Sequence, residues 1–211
     1  MIPRQNVHRR ANLRLKGAIL WLVLLVAALV FWTVATRAQL NVSRTLVMGG
    51  WCQNATAITG WSLPVTNPAV AACVTGTNTQ RGVLDFADGA NALSAQTQLL
   101  LPADWQSGLD MRLVWFTTAI TGAVVWQVQT ICVADAETGD PAFNTASTVT
   151  DTAQGTTLRH NEAVLTSVIT TGCLAGELLF LKLSRDPNHA SDTLAATARL
   201  VTVEVAIRRG Q

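Results

Sequence analysis

The sequence predicts an all-β protein, an antiparallel β-sandwich of the jelly-roll type, preceded by one N-terminal signal or transmembrane helix. After residue 40, short runs of Val, Thr, Ile and Leu are separated by Gly, Asn, Asp and Pro. This is the pattern of strands joined by turns. No segment in that part of the sequence keeps a helical period. About seven to nine strands in about 150 residues are typical of a two-sheet sandwich.

The apolar run at residues 17–36 contains no charged residue and has about the length of a helix that crosses a bilayer. Thr36-Arg37-Ala38 resembles a signal-peptidase site, although the run is longer than a usual signal core. Residues 1–38 are therefore predicted to be a cleaved signal peptide or a retained membrane anchor. The basic residues before the run predict a cytoplasmic N-terminus and an exported C-terminal domain, secreted or anchored: Arg4, Arg9, Arg10, Arg14 and Lys16.

The exported part is predicted to begin with an approach segment, residues 39–80, that holds short strands among many Thr, Asn and Gly residues. The sandwich domain is predicted to cover residues 81–211. Its first strands are expected at 82–89 and 97–105, and Pro102 stops the second of them.

The clearest predicted hairpin joins residues 111–119 to residues 123–132 through Ile120-Thr121-Gly122. Both alternating sets of side chains in these strands are partly apolar, which predicts a central hairpin covered on both faces. A long loop is expected at 133–148, and a short helical turn at 88–95.

Three further strands are predicted at 162–171, 176–187 and 197–209. The last has the most regular alternation of apolar and polar residues. Its inward-facing side chains are predicted to be Val201, Val203, Val205 and Ile207.

The charge of the exported part argues against nucleic-acid binding. After residue 38 there are nine basic and thirteen acidic residues, a net charge of −4, whereas nucleic-acid binding needs clustered Lys and Arg.

All four cysteines lie in this exported part, and an even number of cysteines in an oxidising compartment predicts disulfides. We favour Cys52–Cys73 and Cys132–Cys173, because the first two belong to the N-terminal portion and the other two to neighbouring strands of the main body. The alternative is four buried thiols. A zinc site is not expected, since no two cysteines are close in sequence.

Several long stretches resemble a β-sandwich module that recurs in bacteriophage structural and tail-associated proteins and in uncharacterised bacterial surface proteins. The resemblance covers roughly residues 61–209. It implies a jelly-roll-like sandwich used for assembly or surface attachment, often as an oligomer, and it supplies no catalytic residues. The stretches are TGTNTQRGVLDFADG (75–89), LPADW (101–105), VVWQVQTICVADAET (124–138), DPAFNTASTVTD (140–151), TTGCLAGELL (170–179) and RDPNHASDTLAATARLVTVEV (185–205).

We predict no enzymatic activity, no cofactor and no metal site. The sequence has no Gly-x-Ser-x-Gly motif and no phosphate-binding glycine loop, and His160 is expected to be a solvated loop residue. Two clusters of polar residues contain side chains that could bind a cation. Such side chains in turns usually bond their own backbone, and the spacing of the clusters matches no calcium loop. They are Asp186, His189 and Asp192, and Asp135, Glu137 and Asp140.

Tryptophans are the candidate ligand-binding residues, because a flat ring can stack on the C–H face of a sugar. Trp105, at a strand end, is expected to be exposed, and Trp51 and Trp61 lie in the approach segment. The alternative for the last two is that they close one end of the sandwich. Trp115 and Trp126 are expected in the core.

The predicted function is therefore that of a non-enzymatic, exported structural or adhesive protein that assembles or binds at the bacterial cell surface. Self-association is the expected partnership, with a cell-surface protein or glycan as a further partner and membrane contact through residues 17–36 if the leader is retained. Two alternatives remain: a carbohydrate-binding module, which requires at least two coplanar exposed aromatic rings, and a phage-derived virion or receptor-binding component.

Overall fold

The computed structural model describes Trp21, Leu25 and residues 42–210, so the predicted signal or anchor segment lies almost wholly outside the described residues. No helix among the described residues is both long and apolar enough to cross a membrane. Residues 42–210 contain strands and no helix, as the sequence predicts. The strands are β1 (Val42–Met48), β2 (Trp51–Gln53), β3 (Thr56–Ile58), β4 (Val70–Thr75), β5 (Gln80–Phe86), β6 (Ser94–Leu100), β7 (Trp105–Phe116), β8 (Ala123–Val133), β9 (Ser147–Thr152), β10 (Asn161–Val168), β11 (Leu178–Arg185) and β12 (Ala198–Arg209).

Two antiparallel sheets form the predicted sandwich. The larger, six-stranded sheet has the order β10-β7-β12-β5-β4, with β1 also paired to β12, and the four-stranded sheet has the order β6-β11-β8-β9. Strands β5 to β12 are thus distributed between the sheets in the order of a jelly roll.

The approach segment contributes strands to the sandwich itself. Strand β1 pairs with β12 and β4 pairs with β5, while β2 and β3 form a separate short hairpin. The Cys52–Cys73 disulfide links this hairpin to β4. Residues 42–210 lie in a single compact unit.

The predicted hairpin between β7 and β8 is wrong, because the two strands lie in opposite sheets. The chain crosses from one sheet to the other at residues 117–122. Gly122 has a φ of 102°, and a Cβ there would lie 2.8 Å from the Thr193 carbonyl oxygen. The glycine permits this close approach. The sequence predicted a tight hairpin turn here, and the segment is instead a crossing between the sheets.

Three local predictions also differ from the structure. The bulge in β12 between Leu200 and Thr202 turns Leu200 inward, fully buried, and leaves Val201 half-buried, because one extra residue reverses the alternation. Strand β9 was not predicted: its residues are mostly Thr and Ser. No helical turn forms at 88–95.

The core lies between the sheets and is built from the predicted alternating residues. Trp115 and Trp126 are both fully buried with their ring centroids 6.2 Å apart, and Phe86 packs edge-on against Trp126 at 5.1 Å. Such edge-to-face pairs are favourable beyond the burial of their area. The predicted Cys132–Cys173 disulfide closes the same core, and both predicted pairings are confirmed. Two disulfides indicate an oxidising compartment.

Candidate functional site

The candidate tryptophans have different environments. Trp61 is buried and its indole Nε1 donates to the Met48 carbonyl oxygen at 2.9 Å. Trp105 is also buried, at 7% exposure, and its expected exposure is not observed. Trp51, in β2, is 46% exposed. Among the tryptophans of residues 42–210, it is therefore the one whose ring is open to a ligand.

A close approach of two backbone segments positions Trp51. Gly50 and Gly82 form an isolated bridge, and a Cβ at Gly82 would lie only 2.1 Å from the Trp51 backbone nitrogen. The glycines therefore allow the hairpin to rest directly on β5. The Trp51 ring then reaches residue 60: its Cζ3 atom would be 4.0 Å from a Cβ at Gly60.

Gly60 begins one wall of a groove on the outer face of the four-stranded sheet. Ser62 and Gln96 exchange two backbone hydrogen bonds of 2.8 and 2.9 Å, which fixes this wall along β6. The groove has a volume of about 190 Å³. Its lining residues are Gly60, Ser62, Gln96, Thr97, Gln98 and Phe180. Trp61 anchors the wall in the core, so its role is structural.

Antiparallel pairing arranges the side chains at the groove and beside it in rows along β6, β11 and β8. Gln98 is opposite Phe180, which is in turn opposite Ile131. In the next row Lys182 lies between Gln96 and Gln129. Directly opposed side chains on one face are about 4.5–5.5 Å apart at Cβ. One aromatic ring is thus bordered by a compact set of amide and ammonium groups.

The side chains of this face differ in their partners. Gln127 donates to Asp186 Oδ2 at 2.9 Å, and Gln129 donates to the Asn144 carbonyl oxygen at 3.0 Å. Within residues 42–210, the amides of Gln96 and Gln98 make no such side-chain bond. The Lys182 ammonium lies 5.9 Å from the Phe143 ring centroid, and no carboxylate of the described chain pairs with it. The edge of the sheet formed by β6 therefore retains free hydrogen-bonding capacity.

The outer face of the six-stranded sheet holds a charge ladder, a term used here for Arg44, Glu204, Arg112 and Glu162. Arg44 and Arg112 both bind Glu204, and Arg112 also reaches Glu162 at 3.2 Å. The hydrogen bond from Arg44 is the main reason that the pKa of Glu204 is lowered, and Arg112 adds to the effect. A shallow cavity of about 250 Å³ lies over this ladder. Its charged groups already satisfy one another.

The residues considered as cation ligands have structural roles or remain apart. Asp192 forms a two-point ion pair with the fully buried Arg185, at 2.7 and 3.0 Å, and Asp186 accepts from Gln127. His189 bonds within its own turn. No group of three or more His, Cys, Asp or Glu side chains among the described residues is placed to hold a metal ion; this includes Asp135, Glu137 and Asp140.

The half-buried Asp151 has a raised pKa and does not line the groove. Asp151 accepts the Trp115 indole N–H at 2.7 Å, yet burial is the larger effect and raises the pKa of Asp151.

Sequence reasoning missed the groove residues, although a signal was present. Gln96 and Gln98 alternate in β6, as do Gln127 and Gln129 in β8. A polar residue at every second position predicts an outward-facing amide row. The pattern does not show which strand lies beside each of these rows. In the structure β11 lies between β6 and β8, and it places Phe180 and Lys182 between the two glutamine rows.

No protein-family model matches the sequence, and no curated protein matches it significantly. Among solved structures, it is similar to a non-crystalline cellulose specific carbohydrate-binding module, CBM28, with 8% identity over 78% of this chain and 94% of that one, at a TM-score of 0.42. The CBM35 module from Cellvibrio japonicus Abf62 matches with 12% identity over 80% and 99%, at 0.31. Infectious bursal disease virus, Gx strain, matches with 11% identity over 81% and 53%, at 0.34. At these identities and TM-scores the similarities carry no argument about ligand or activity.

Proposed function

We propose that the protein is an exported, non-catalytic glycan-binding β-sandwich, and that the groove beside β6 is its binding surface. The observation that carries the proposal is the row of Gln96, Lys182 and Gln129 next to Phe180. Gln96, Gln98 and Lys182 keep donors or acceptors that residues 42–210 do not use.

The chemistry of this face suits a polyhydroxylated ligand. Each sugar hydroxyl donates and accepts hydrogen bonds, and a glutamine amide can do both, while Lys182 only donates. The Phe180 ring offers an apolar contact for a C–H face. Trp51, exposed at the wall formed by Gly60, offers a second ring.

The shape of the groove favours a polymer over a small molecule. Its volume of about 190 Å³ is below the roughly 300–1,000 Å³ of pockets that enclose small ligands. An extended glycan can instead lie across the open sheet and gain contacts from several sugar units. Export, supported by the two disulfides, would bring the domain to such polymers.

Affinity electrophoresis of the oxidised full chain in gels containing soluble cellulosic, xylan or mannan polymers tests the proposal. At least one polymer should retard the protein. Phe180→Ala and Gln96→Ala should each weaken binding by about tenfold, since a lost contact of about 1–1.5 kcal/mol has that effect. Trp51→Ala should weaken it less.

Gln106→Ala is the matched control, because Gln106 is an exposed glutamine of β7 in the other sheet. It should bind like the parent protein. If every polymer leaves the protein unretarded, or if Phe180→Ala and Gln106→Ala migrate alike, the groove is not a glycan site.

Assembly at the cell surface is the second candidate, and strand β1 favours it. Leu46 and Met48 are 66% and 55% exposed on the outer face of β1, and the free edge of β1 pairs with no strand among residues 42–210. Light scattering after size exclusion should detect an oligomer that Leu46→Lys dissociates. Ile120→Lys, at a site in the β7–β8 connection that is 57% exposed, is the control and should leave the oligomer intact. A monomer at all concentrations would exclude assembly through β1. A virion or receptor-binding role stays a prediction.

A further inference from the structure

The basic residues of the folded domain show where an anion could bind. Residues 42–210 contain nine Lys and Arg side chains. Six of them pair with carboxylates: Arg44, Arg112, Arg185, Arg199, Arg208 and Arg209. Within the described part of the chain, the other three, Arg81, Arg159 and Lys182, have no carboxylate within ion-pair distance. In a domain with an excess of acidic residues, an unpaired cation is unexpected.

Two of these three cations line the same cavity. The cavity has a volume of about 650 Å³ and lies between the start of β5 and the loop before β10. Its lining residues are Thr79, Gln80, Arg81, Leu158, Arg159 and His160. It is separate from the glycan groove, which lies on the other sheet.

Specific contacts hold Arg81 at the cavity wall. Its guanidinium carbon lies 5.0 Å from the ring centroid of the fully buried Phe116, and its NH1 group is 3.2 Å from His160 Nε2. A guanidinium can only donate, so His160 Nε2 is the acceptor in this hydrogen bond. Four of the five guanidinium donors remain for a ligand.

The loop beside Arg81 adopts a backbone conformation that costs energy. Leu158 has a φ of 60°, a region that bulky residues avoid. Its N–H donates to the Thr117 carbonyl oxygen at 2.9 Å, which holds it there. As a result Leu158 is 40% exposed at the cavity, followed directly by Arg159 and His160. Strain kept in place by the surrounding structure is common at ligand sites.

We propose that this cavity is an oxyanion site that takes a carboxylate or sulfate group, held by Arg81 and Arg159 with the His160 ring beside it. A planar guanidinium matches the two oxygens of such a group. The anion is either a free ion or the charged group of an acidic saccharide. The site does not depend on the glycan groove, and each can be present without the other.

Titration of the oxidised full chain with sodium sulfate and with sodium glucuronate, against sodium chloride at equal ionic strength, tests the proposal. The NMR signals of the His160 ring should shift to saturation, with a dissociation constant of about 1–10 mM. His189, which lies in the turn after β11, should not shift and serves as an internal control. Saturation by sulfate alone indicates a free inorganic ion, and saturation by glucuronate indicates the charged group of a saccharide.

Arg159→Gln should raise the dissociation constant of the anion that saturates the site by about tenfold. Arg159 is exposed, and the hydrogen bond that its side chain makes within the described residues goes to the Gln154 carbonyl oxygen at 3.4 Å, so this variant should fold. Arg209→Gln, which removes an exposed arginine paired with Asp104, is the charge-matched control. The proposal is wrong if neither salt saturates the His160 shift. It is also wrong if Arg159→Gln and Arg209→Gln bind the anion equally well. Gln96→Ala should leave the titration unchanged.

Discussion

The outer faces of the two sheets use polar side chains in opposite ways. On the six-stranded sheet, the charge ladder runs from Arg44 through Glu204 to Glu162, and each group has a partner. On the four-stranded sheet, Gln96, Gln98 and Lys182 stand in adjacent rows without such partners in the described chain. A polar surface therefore points to a ligand site where the fold leaves its polar groups without partners.

The largest expected effect comes from the most completely satisfied charge, Arg185. It is fully buried and bound by both carboxylate oxygens of Asp192 as well as by backbone carbonyls. Asp192→Asn should lower the free energy of unfolding by about 3–5 kcal/mol, because it leaves a buried cation without its counter-charge. Urea denaturation measures the loss.

Asp88→Asn is the control for this pair. Asp88 lies 3.5 Å from the same guanidinium, but its side chain is 44% exposed. Its loss should cost about 0.5 kcal/mol. Equal costs for the two variants would show that Arg185 is not held as the geometry indicates.

A smaller effect is expected at the charge ladder. Glu204→Gln should cost about 1 kcal/mol at neutral pH, since Arg44 is largely exposed to solvent. The pKa of Glu204 is lowered in the folded state, chiefly by the Arg44 hydrogen bond. Its contribution is therefore present above the ordinary carboxyl pKa and is lost as the pH falls through the lowered value.

Denaturation of the parent and the variant across acidic pH checks this sign. Their free energies of unfolding should differ at neutral pH and converge in acid. Glu162→Gln, at an exposed end of the ladder, should show a smaller difference. A gap that widens as the pH falls would contradict the assignment.

The smallest stability effects are expected on the four-stranded sheet. Lys182→Met and Gln96→Ala should each change the free energy of unfolding by less than about 0.5 kcal/mol, because neither side chain has a hydrogen-bond partner among residues 42–210. The same variants should weaken glycan binding, whereas Glu204→Gln should not. A loss of stability above 1 kcal/mol, roughly, would mean that these groups serve the fold rather than a ligand.

Much of the local structure could be predicted from the sequence. Alternation identified most of the inward face of β12. An even number of cysteines predicted disulfides, and the positions of the cysteines favoured the two pairings that form. Local patterns failed where a long-range partner decides the outcome. The apolar strands β7 and β8 were predicted to form a hairpin because a short turn signal lies between them. The same short signal also fits a connection that passes from one sheet to the other.

The candidate sites show the same limit. Trp105 follows a proline at a strand end, a setting typical of an exposed residue, yet it packs in the core near Leu109. The groove needed Gln96 and Phe180, which are distant in sequence. The second cavity needed Arg81 and His160, which are 79 residues apart in sequence. Alternation says which face a side chain takes, but not which strand lies beside it.

The strand class and the acidic character of the domain follow from the sequence alone, because strand period and charge are properties of short segments or of composition. The cysteine count predicts disulfides, and the positions of the cysteines along the chain favoured the pairing that forms. Tertiary contacts set which strands share a sheet, where Trp51 is exposed and which cations find no carboxylate partner among the described residues. These features depend on contacts between residues far apart in the chain, and the free energy of packing two sheets together selects them as a set.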